Sequence, residues 1–219
     1  MKQLYFTSQT LEQKAWKMRQ SLEKFQRPRE WQLEPSRSAL LVLDMQDYFL
    51  DATSHAFIPS AGAILPGVKA LIQAYAQNGL PVVFTQHIND RQDAGLMATW
   101  WRDLITPQSP YKDITVELDT STGIVIQKSQ YDAFYKTPLE HLLRDRGVSQ
   151  VLITGVMTNL CCETTARSAF VRGFEVLFLI DGTATYNEDF HQATLVNLSH
   201  GFAVPVLCKE ILSALKKMT

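Results

Sequence analysis

Six short apolar runs alternate with segments of helical periodicity, and this alternation limits the possible folds more than any other feature of the chain. Most of the runs are rich in β-branched residues, which is typical of buried strands. They span residues 39–45, 81–87, 123–128, 151–156, 175–181 and 203–208. The helical segments between and after them span 66–79, 94–105, 137–147, 161–173, 189–201 and 209–218. Apolar strands that alternate with helices predict a parallel sheet covered on both faces.

This pattern predicts one α/β domain over residues 36–219, built as a three-layer αβα sandwich around a Rossmann-like, six-stranded, mostly parallel sheet. An N-terminal extension, residues 1–35, precedes it. Apolar residues recur at helical spacing from Ser8 to Phe25 and predict an amphipathic helix. Two prolines within residues 26–38 favour an extended connector after that helix.

The charge and cysteine content narrow the class of partner. Twenty-one Lys and Arg residues oppose 22 Asp and Glu residues, so no strong field attracts nucleic acid or an anionic membrane. We expect a small-molecule partner, with neither nucleic acid nor membrane. Three cysteines are an odd number that suits a reducing cytosol. Charges interrupt the first 20 residues, so neither a signal peptide nor a membrane span is predicted, and we expect a cytoplasmic protein.

Three chemically active side chains follow predicted strands, where open parallel sheets bind their ligands. Asp44 ends the first run, Lys128 ends the third, and Cys161 lies just after the fourth. Each residue has an ordinary alternative: a backbone cap for Asp44, a solvated charge for Lys128, and a small buried apolar residue for Cys161. Because parallel strands bring their carboxyl ends to one edge, the three side chains are expected to converge.

Such a convergence predicts nucleophilic catalysis. We expect Cys161 in the first turn of a helix capped by Thr158 or Asn159, where the helix start and Lys128 would lower the thiol pKa. Asp44 would take the thiol proton and return it to a leaving group. The backbone amides of Met157 and Cys161 are the candidate donors of an oxyanion hole.

Three segments carry a family resemblance: "ALLVLDMQDYF", "VIQKSQYDAFYKTPLEHLL" and "VLITGVMTNLCCETTARSAFVRGFEV". In this order they resemble the signature segments of the isochorismatase-like cysteine hydrolase superfamily, over roughly residues 36–212. The resemblance implies an Asp44-Lys128-Cys161 triad and a cis peptide bond between Val156 and Met157. It also implies a homo-oligomer, a dimer or tetramer.

The adjacent residues Cys161 and Cys162 help to predict which bond is cleaved. In isochorismatases proper, which cleave a vinyl ether, the position that matches Cys161 is typically glycine. A cysteine there favours hydrolysis of an amide or ureido C–N bond through a thioester, with Cys162 as a packing residue. Vinyl ether hydrolysis with release of pyruvate is the alternative within enzymes. A non-catalytic interaction module, docking through the N-terminal helix, is the alternative from another class.

The remaining expectations concern cofactors and the substrate wall. Nicotinamidases of this superfamily hold a metal through an Asp-x-His pair, but the matching stretch here offers His87 and Asn89, so no metal is predicted. The sequence has no phosphate-cradling glycine loop, so no organic cofactor is predicted. Aromatic residues close to the predicted triad are candidates for an apolar wall around a planar substrate. They are Phe49, Trp101, Tyr131 and Phe134.

Overall fold

A six-stranded sheet forms the centre of the computed structural model, which describes residues 1–25 and 32–216. Its strands lie in the order β3-β2-β1-β4-β5-β6, and every neighbouring pair is parallel. The predicted three-layer α/β fold is therefore confirmed, with the sheet parallel throughout. The strands are β1 Ser38–Leu43, β2 Val82–His87, β3 Ile124–Lys128, β4 Gln150–Val156, β5 Glu175–Ala184 and β6 Val204–Val206.

Helices cover the sheet on both faces. Of those in the described residues, α3 packs on α8, whereas α6 packs on α7. Right-handed crossovers that leave a central strand in opposite directions put their helices on opposite faces. The helices are α1 Leu11–Leu22, α2 Asp47–Leu50, α3 Ala61–Gln77, α4 Met97–Trp100, α5 Leu139–Arg144, α6 Glu163–Val171, α7 Glu188–Gly201 and α8 Cys208–Leu215.

Several boundaries differ from the predicted ones. Helix α3 begins at Ala61 and contains Pro66, although a proline there removes the hydrogen bond to the carbonyl of Gly62. Helix α4 is a single turn instead of a helix over 94–105, because Met97 is its one buried residue. Strand β6 has three residues and lies at the sheet edge, where Pro205 is tolerated. Residues 26–31 of the predicted connector and the end of the last predicted helix lie outside the described residues, and Pro35–Arg37 form a 3-10 turn instead of the predicted extended chain.

The innermost strands are completely buried. Every residue of β1 and of β4 is buried, and the two strands are hydrogen-bonded along their whole length. Each leucine, isoleucine or valine side chain removed from water here stabilises the fold by about 1.5–3 kcal/mol. The residues at the carboxyl ends of these two strands therefore rest on a fully buried support.

The order in which strands are added to the sheet reverses between β1 and β4, although the strands stay parallel. It runs from β1 outward through β2 to β3 and then returns to the other side of β1 as β4. Such a switch point opens a crevice at the carboxyl ends of the two strands. Gly155 is required there, since its φ is +110° and a Cβ would lie 2.1 Å from the carbonyl oxygen of Leu43.

The N-terminal helix belongs to the same hydrophobic core. Ala15, Met18 and Leu22 are its buried residues, and α1 packs on β5 and α7. The predicted amphipathic helix is thus present over Leu11–Leu22. Whether residues 1–35 form a separate unit stays a prediction. Among the described residues no helix is both long and apolar enough to cross a membrane.

Candidate active site

The three predicted catalytic side chains meet at the switch point. Lys128 Nζ lies 2.8 Å from Asp44 Oδ2 and 3.4 Å from Cys161 Sγ. The side chains of Asp44 and Lys128 are completely buried, and Cys161 is 5% exposed. The sheet brings the three residues together as expected. Their catalytic roles are taken up under the proposed function.

Asp44 is held by the neighbouring strand β2. Its other carboxylate oxygen accepts a hydrogen bond of 2.5 Å from the Thr85 hydroxyl, which in turn accepts one of 3.0 Å from the Asp44 backbone N–H. Asp44 has a φ of +51°, an uncommon value for a residue other than glycine. The carboxylate is therefore fixed between Thr85 on one side and Lys128 on the other.

The Lys128 ammonium has two further partners. It donates 2.8 Å to the carbonyl of Gln130 and lies 3.1 Å from Nδ1 of His87. His87 is the register partner of Lys128 in the adjacent strand. Because an ammonium can only donate, Nδ1 of His87 accepts, so Nε2 carries the proton and donates 2.8 Å to Asn89 Oδ1. Burial and the Lys128 charge lower the pKa of His87 to about 4, so this imidazole is neutral at pH 7.

The electrostatics of the site define its resting protonation. Burial opposes ionisation of Asp44, but Lys128 and His87 outweigh it, so the pKa of Asp44 is lowered. Burial also opposes the charge on Lys128, but Asp44 and Cys161 outweigh it, so the pKa of Lys128 is raised. Burial and the Asp44 carboxylate raise the pKa of the Cys161 thiol well above its usual range. The resting site therefore holds a carboxylate, an ammonium and a protonated thiol.

The expectation of a lowered thiol pKa is therefore wrong for the resting site. The prediction counted Lys128 as an isolated cation beside Cys161, but Asp44 already neutralises that cation at 2.8 Å. The remaining influences on the thiol are burial and a neighbouring carboxylate, and both favour S–H over the thiolate. A hydrogen bond between the Cys161 side chain and Asp44 contributes to the low pKa of that carboxyl group.

Cys161 lies in a turn with π-helical hydrogen bonding that precedes α6. The turn spans Thr158–Cys162, and the backbone N–H of Cys162 donates 3.2 Å to the carbonyl of Met157. The residue that precedes the turn is Met157, not Thr158 or Asn159 as predicted. π turns are rare in proteins, and those that occur often lie at functional sites. Residues 157–162 are called the nucleophile turn below.

The peptide bond between Val156 and Met157 is cis, as the family resemblance implies. Met157 and Cys161 both line the cavity in front of the nucleophile turn. The function of their amides as oxyanion donors stays a prediction. All three cysteines are free thiols, and Cys162 is fully buried in the hydrophobic core.

A cavity of about 160 Å³ opens in front of the thiol, with Cys161 in its wall. Three of the four predicted aromatic wall residues line it, namely Phe49, Trp101 and Tyr131. Trp101 Nε1 donates a hydrogen bond of 2.6 Å to the Tyr131 hydroxyl, which fixes the two rings relative to each other. These side chains form the aromatic wall.

The structure corrects the position of the fourth predicted wall residue, Phe134. Its ring is 5% exposed and stacks on Phe174 in the hydrophobic core, with ring centroids 5.8 Å apart. The guanidinium of Arg172 covers the same ring at 4.9 Å. Closeness to Lys128 in the sequence was the basis of the prediction, but the chain turns away from the cavity after Tyr131.

Comparison with known proteins agrees with this architecture. The sequence model of a protein family, the isochorismatase domain, matches residues 38–210. The chain is 41% identical to nicotinamidase 3 of Arabidopsis thaliana over 179 residues, which covers 80% of this chain and 86% of that protein. It is 31% identical to enterobactin synthase component B of Escherichia coli over 189 residues, 84% of this chain and 66% of that longer protein. The chain belongs to the isochorismatase family.

A crystal structure shares the fold as well. A cysteine hydrolase from Pseudomonas syringae superposes with a TM-score of 0.83 at 25% identity, over 87% of this chain and 97% of that one. The resemblance of the three signature segments is therefore confirmed, and this isochorismatase-family protein is a hydrolase. The lining of the cavity bears on which substrate it binds and which bond it cleaves.

The metal site that the family implies does not fit this chain. Ligand atoms of Asp44, His87 and Cys161 all lie within 4.8 Å of one another, which is close enough for a shared ion. However, the Lys128 ammonium already contacts all three side chains. Asn89, at the position of the second metal ligand in nicotinamidases, accepts from His87 and donates 2.7 Å to the carbonyl of Ser129. These side chains already bond to one another, so the proposed reaction uses no metal.

Several site residues were not predicted. Thr85 and His87 lie on β2 between the strands of the predicted triad, so the strand order, once known, would have identified them. At the other end of the cavity, the Tyr48 hydroxyl donates 2.5 Å to Asp103, and His55 lies 3.4 Å from the same carboxylate. Tyr48 lies on the short helix α2, whereas His55 and Asp103 lie in loops, whose paths the sequence does not reveal.

Proposed function

We propose that this isochorismatase-family hydrolase cleaves an amide or ureido C–N bond of a small, neutral, planar molecule through a Cys161 thioester. The observation that carries the proposal is a thiol in the cavity wall whose sulfur lies 3.4 Å from a buried ammonium that is paired with a carboxylate. A nucleophile, a proton acceptor and a cation are the groups that acyl transfer to sulfur requires.

The cavity supports a single-ring substrate. A volume of about 160 Å³ is close to the roughly 150 Å³ cavity that binds benzene in an engineered protein. Phe49, Trp101 and Tyr131 offer ring faces and edges against which a planar molecule can stack. The 41% identity to a nicotinamidase agrees with an aromatic carboxamide.

The charge of the cavity argues against the vinyl ether alternative. A vinyl ether that releases pyruvate must itself carry a carboxylate, which needs a cation to bind it. Among the lining residues that the structure describes, Arg102 is the one permanent cation, and the Asp103 carboxylate, which accepts from Tyr48 and lies 3.4 Å from His55, belongs to the same wall. The cavity therefore suits a neutral substrate better than an anionic one.

In the acylation step, the Asp44 carboxylate takes the proton of the Cys161 thiol as the sulfur attacks the substrate carbonyl carbon. A C–S bond forms, and the carbonyl π electrons move to oxygen, where the amides of Met157 and Cys161 are the proposed donors. Protonated Asp44 then gives its proton to the nitrogen as the C–N bond breaks, so ammonia or an amine leaves. The Lys128 ammonium lies beside Asp44 and Cys161 and stabilises the negative charge as it passes from Asp44 through the attacking sulfur to the substrate oxygen and back.

Water completes the cycle. Asp44, again ionised, takes a proton from water as the water oxygen attacks the thioester carbon. The C–S bond breaks, the acid product leaves, and the proton on Asp44 returns to the Cys161 sulfur. The low pKa of Asp44 and the raised pKa of the thiol oppose proton transfer at rest, so the transfer occurs together with the attack on the carbonyl carbon, and the thiolate exists only during turnover.

The test is a product assay over a panel of single-ring carboxamides, with nicotinamide first, together with ureido compounds and a vinyl ether. Ammonia, amine and pyruvate release are measured for the wild type, Cys161→Ala and Cys162→Ala. We expect ammonia or amine from the wild type and from Cys162→Ala, and none from Cys161→Ala. A trapped acyl group on Cys161, seen by mass spectrometry, would support the thioester directly.

Other outcomes would overturn the proposal. Pyruvate release that persists in Cys161→Ala would indicate vinyl ether hydrolysis without a nucleophile. No product from any compound, with no acyl group trapped on Cys161, would favour the interaction module. Loss of amide hydrolysis on chelation, restored by a divalent ion, would contradict the metal-free mechanism.

A further inference from the structure

A buried histidine outside the cavity connects the start of the chain to the nucleophile turn. His191 of α7 is completely buried. Its Nδ1 lies 3.0 Å from the hydroxyl of Tyr5 and 3.2 Å from the hydroxyl of Thr158. Thr158 begins the turn that carries Cys161. One imidazole nitrogen therefore bridges the N-terminal segment, defined here as residues 1–7, and the nucleophile turn.

A second connection runs from the same tyrosine hydroxyl. The backbone N–H of Thr185 donates 3.0 Å to Tyr5 Oη, and the Thr185 hydroxyl donates 2.5 Å to Asn159 Oδ1. Asn159 is the next residue of the nucleophile turn. Tyr5 thus reaches two consecutive residues of the turn, each through one intermediate residue.

The network is shut off from solvent. Tyr5 is 4% exposed, its oxygen accepts the Thr185 N–H, and its hydroxyl and that of Thr158 both lie within hydrogen-bond distance of Nδ1 of His191. Burial lowers the pKa of His191 to about 3, which keeps the ring neutral over the physiological range. The network is therefore buried and neutral, and such networks fix geometry.

The N-terminal segment is itself anchored on both sides of Tyr5. The backbone N–H of Gln3 donates 2.7 Å to the carbonyl of Tyr186, a cavity residue. The backbone N–H groups of Tyr5 and Phe6 both donate 3.0 Å to the Ser60 hydroxyl. Helix α1 then continues the contact with the core. The tyrosine hydroxyl is thus presented from a fixed backbone.

We propose that Tyr5 and His191 are positioning residues for the Cys161 nucleophile, and that the N-terminal segment exists to lock the nucleophile turn. The inference rests on the proposed function, since it assigns Cys161 the attacking role. Neither residue is among the cavity-lining side chains that the structure describes, so the two act through Thr158, Asn159 and the backbone of the turn. A displacement of about 1 Å at a reacting group can cost 10²-fold in rate.

The matched pair of variants is Tyr5→Phe and Tyr75→Phe. Both remove one hydroxyl from a buried tyrosine and keep the ring. Tyr75 bonds Ser38, the first residue of β1, at the end of the strand opposite to Asp44. Both variants should lower the unfolding temperature, Tyr5→Phe somewhat more because it leaves both the Thr185 N–H and His191 without a partner, whereas Tyr75→Phe leaves only Ser38. We expect Tyr5→Phe alone to lower kcat, by about tenfold or more, with KM changed less than about twofold.

A second measurement separates this inference from the proposed function. Amide hydrogen exchange of the peptide that contains residues 157–162 reports the mobility of the turn without any substrate. We expect faster exchange in Tyr5→Phe than in the wild type, and no change in Tyr75→Phe. If the panel yields no amide hydrolysis, faster exchange would still support the lock while the proposed function fails.

The imidazole is tested by His191→Asn against His191→Leu. Asparagine retains a polar atom near the position of Nδ1, so it should recover part of the kcat that leucine loses. If His191→Leu does not fold, Thr158→Val removes the same bond from the other side and is predicted to give the same fall in kcat. Wild-type kcat and wild-type exchange in both Tyr5→Phe and Thr158→Val would overturn the inference.

Discussion

Lys128 Nζ and Asp44 Oδ2 form an ion pair of 2.8 Å in which neither side chain is exposed to solvent. The lysine comes from the outermost strand β3 and the aspartate from the end of β1, so the pair spans two ladders of the sheet. Removing two charges from water carries a desolvation penalty of several kcal/mol for each. The penalty is offset by their mutual attraction and by hydrogen bonds from Thr85 and to Gln130. The pair is therefore sensitive to the loss of either member.

Replacing one partner should be worse than replacing both. Lys128→Met leaves a buried carboxylate without its cation and is expected to lower the free energy of unfolding by about 3–5 kcal/mol. The double variant Lys128→Met with Asp44→Asn removes both charges and should recover most of that loss. Neither variant should have activity. Urea denaturation measures the three free energies, and a single variant as stable as the double variant would contradict the argument.

Gly155 should tolerate no side chain, because its φ is +110° and a Cβ would meet the Leu43 carbonyl at 2.1 Å. Gly155→Ala is expected to cost more than about 2 kcal/mol in unfolding free energy and to abolish activity, since Leu43 directly precedes Asp44. Gly62→Ala is the matched control, because a Cβ at Gly62 meets no atom within 4 Å and lies in helix α3. The control should be neutral or stabilising by about 0.5–1 kcal/mol. Thermal unfolding compares the two.

The sequence identified the sheet and the triad for a physical reason. Apolar strands alternating with helices allow few arrangements, and parallel strands must bring Asp44, Lys128 and Cys161 to the same edge. It did not identify what depends on the order of the strands or on long-range packing. His87 contacts Lys128 because β2 lies between β1 and β3, and that neighbour relation is not written in any local pattern.

The failed predictions have a related cause. The thiol pKa was predicted from single neighbours, whereas the result depends on the charge balance of the whole buried cluster. Phe134 was assigned to the wall from its sequence distance to Lys128, but a loop between them directs it into the core. The contact between Tyr5 and His191 joins residues 186 positions apart. Such contacts follow from tertiary packing rather than from periodicity.

Acid should destabilise the protein through its two buried histidines. In the folded chain His87 has a pKa of about 4 and His191 of about 3, compared with about 6.5 when unfolded. Between these values the unfolded chain binds protons that the folded chain does not, so stability falls as the pH falls. The contribution is complete above pH 6.5 and is lost as the pH drops through the folded pKa values, on the order of 3 kcal/mol for His87 and 5 kcal/mol for His191.

His191→Asn isolates one of these contributions. The unfolding free energy of this variant, measured between pH 4 and pH 7, should depend on pH less steeply than that of the wild type. The effect concerns protonation alone, so the difference should vanish above about pH 7 apart from a constant offset. Parallel curves for the two proteins over the whole range would show that His191 does not titrate on unfolding.

Phe49 and Phe134 are both predicted from the sequence to line the substrate wall, but they should respond differently to substitution. Phe49 lines the cavity, so Phe49→Leu removes part of the aromatic wall and is expected to raise KM several-fold with a smaller effect on stability. Phe134 stacks on Phe174 beneath Arg172, so Phe134→Leu should lower the unfolding free energy by about 1–3 kcal/mol and leave KM unchanged. Steady-state kinetics at a temperature well below both unfolding transitions separate the two effects. A raised KM in Phe134→Leu would instead indicate that Phe134 contacts the substrate, since a residue that only packs in the core is not expected to change substrate affinity.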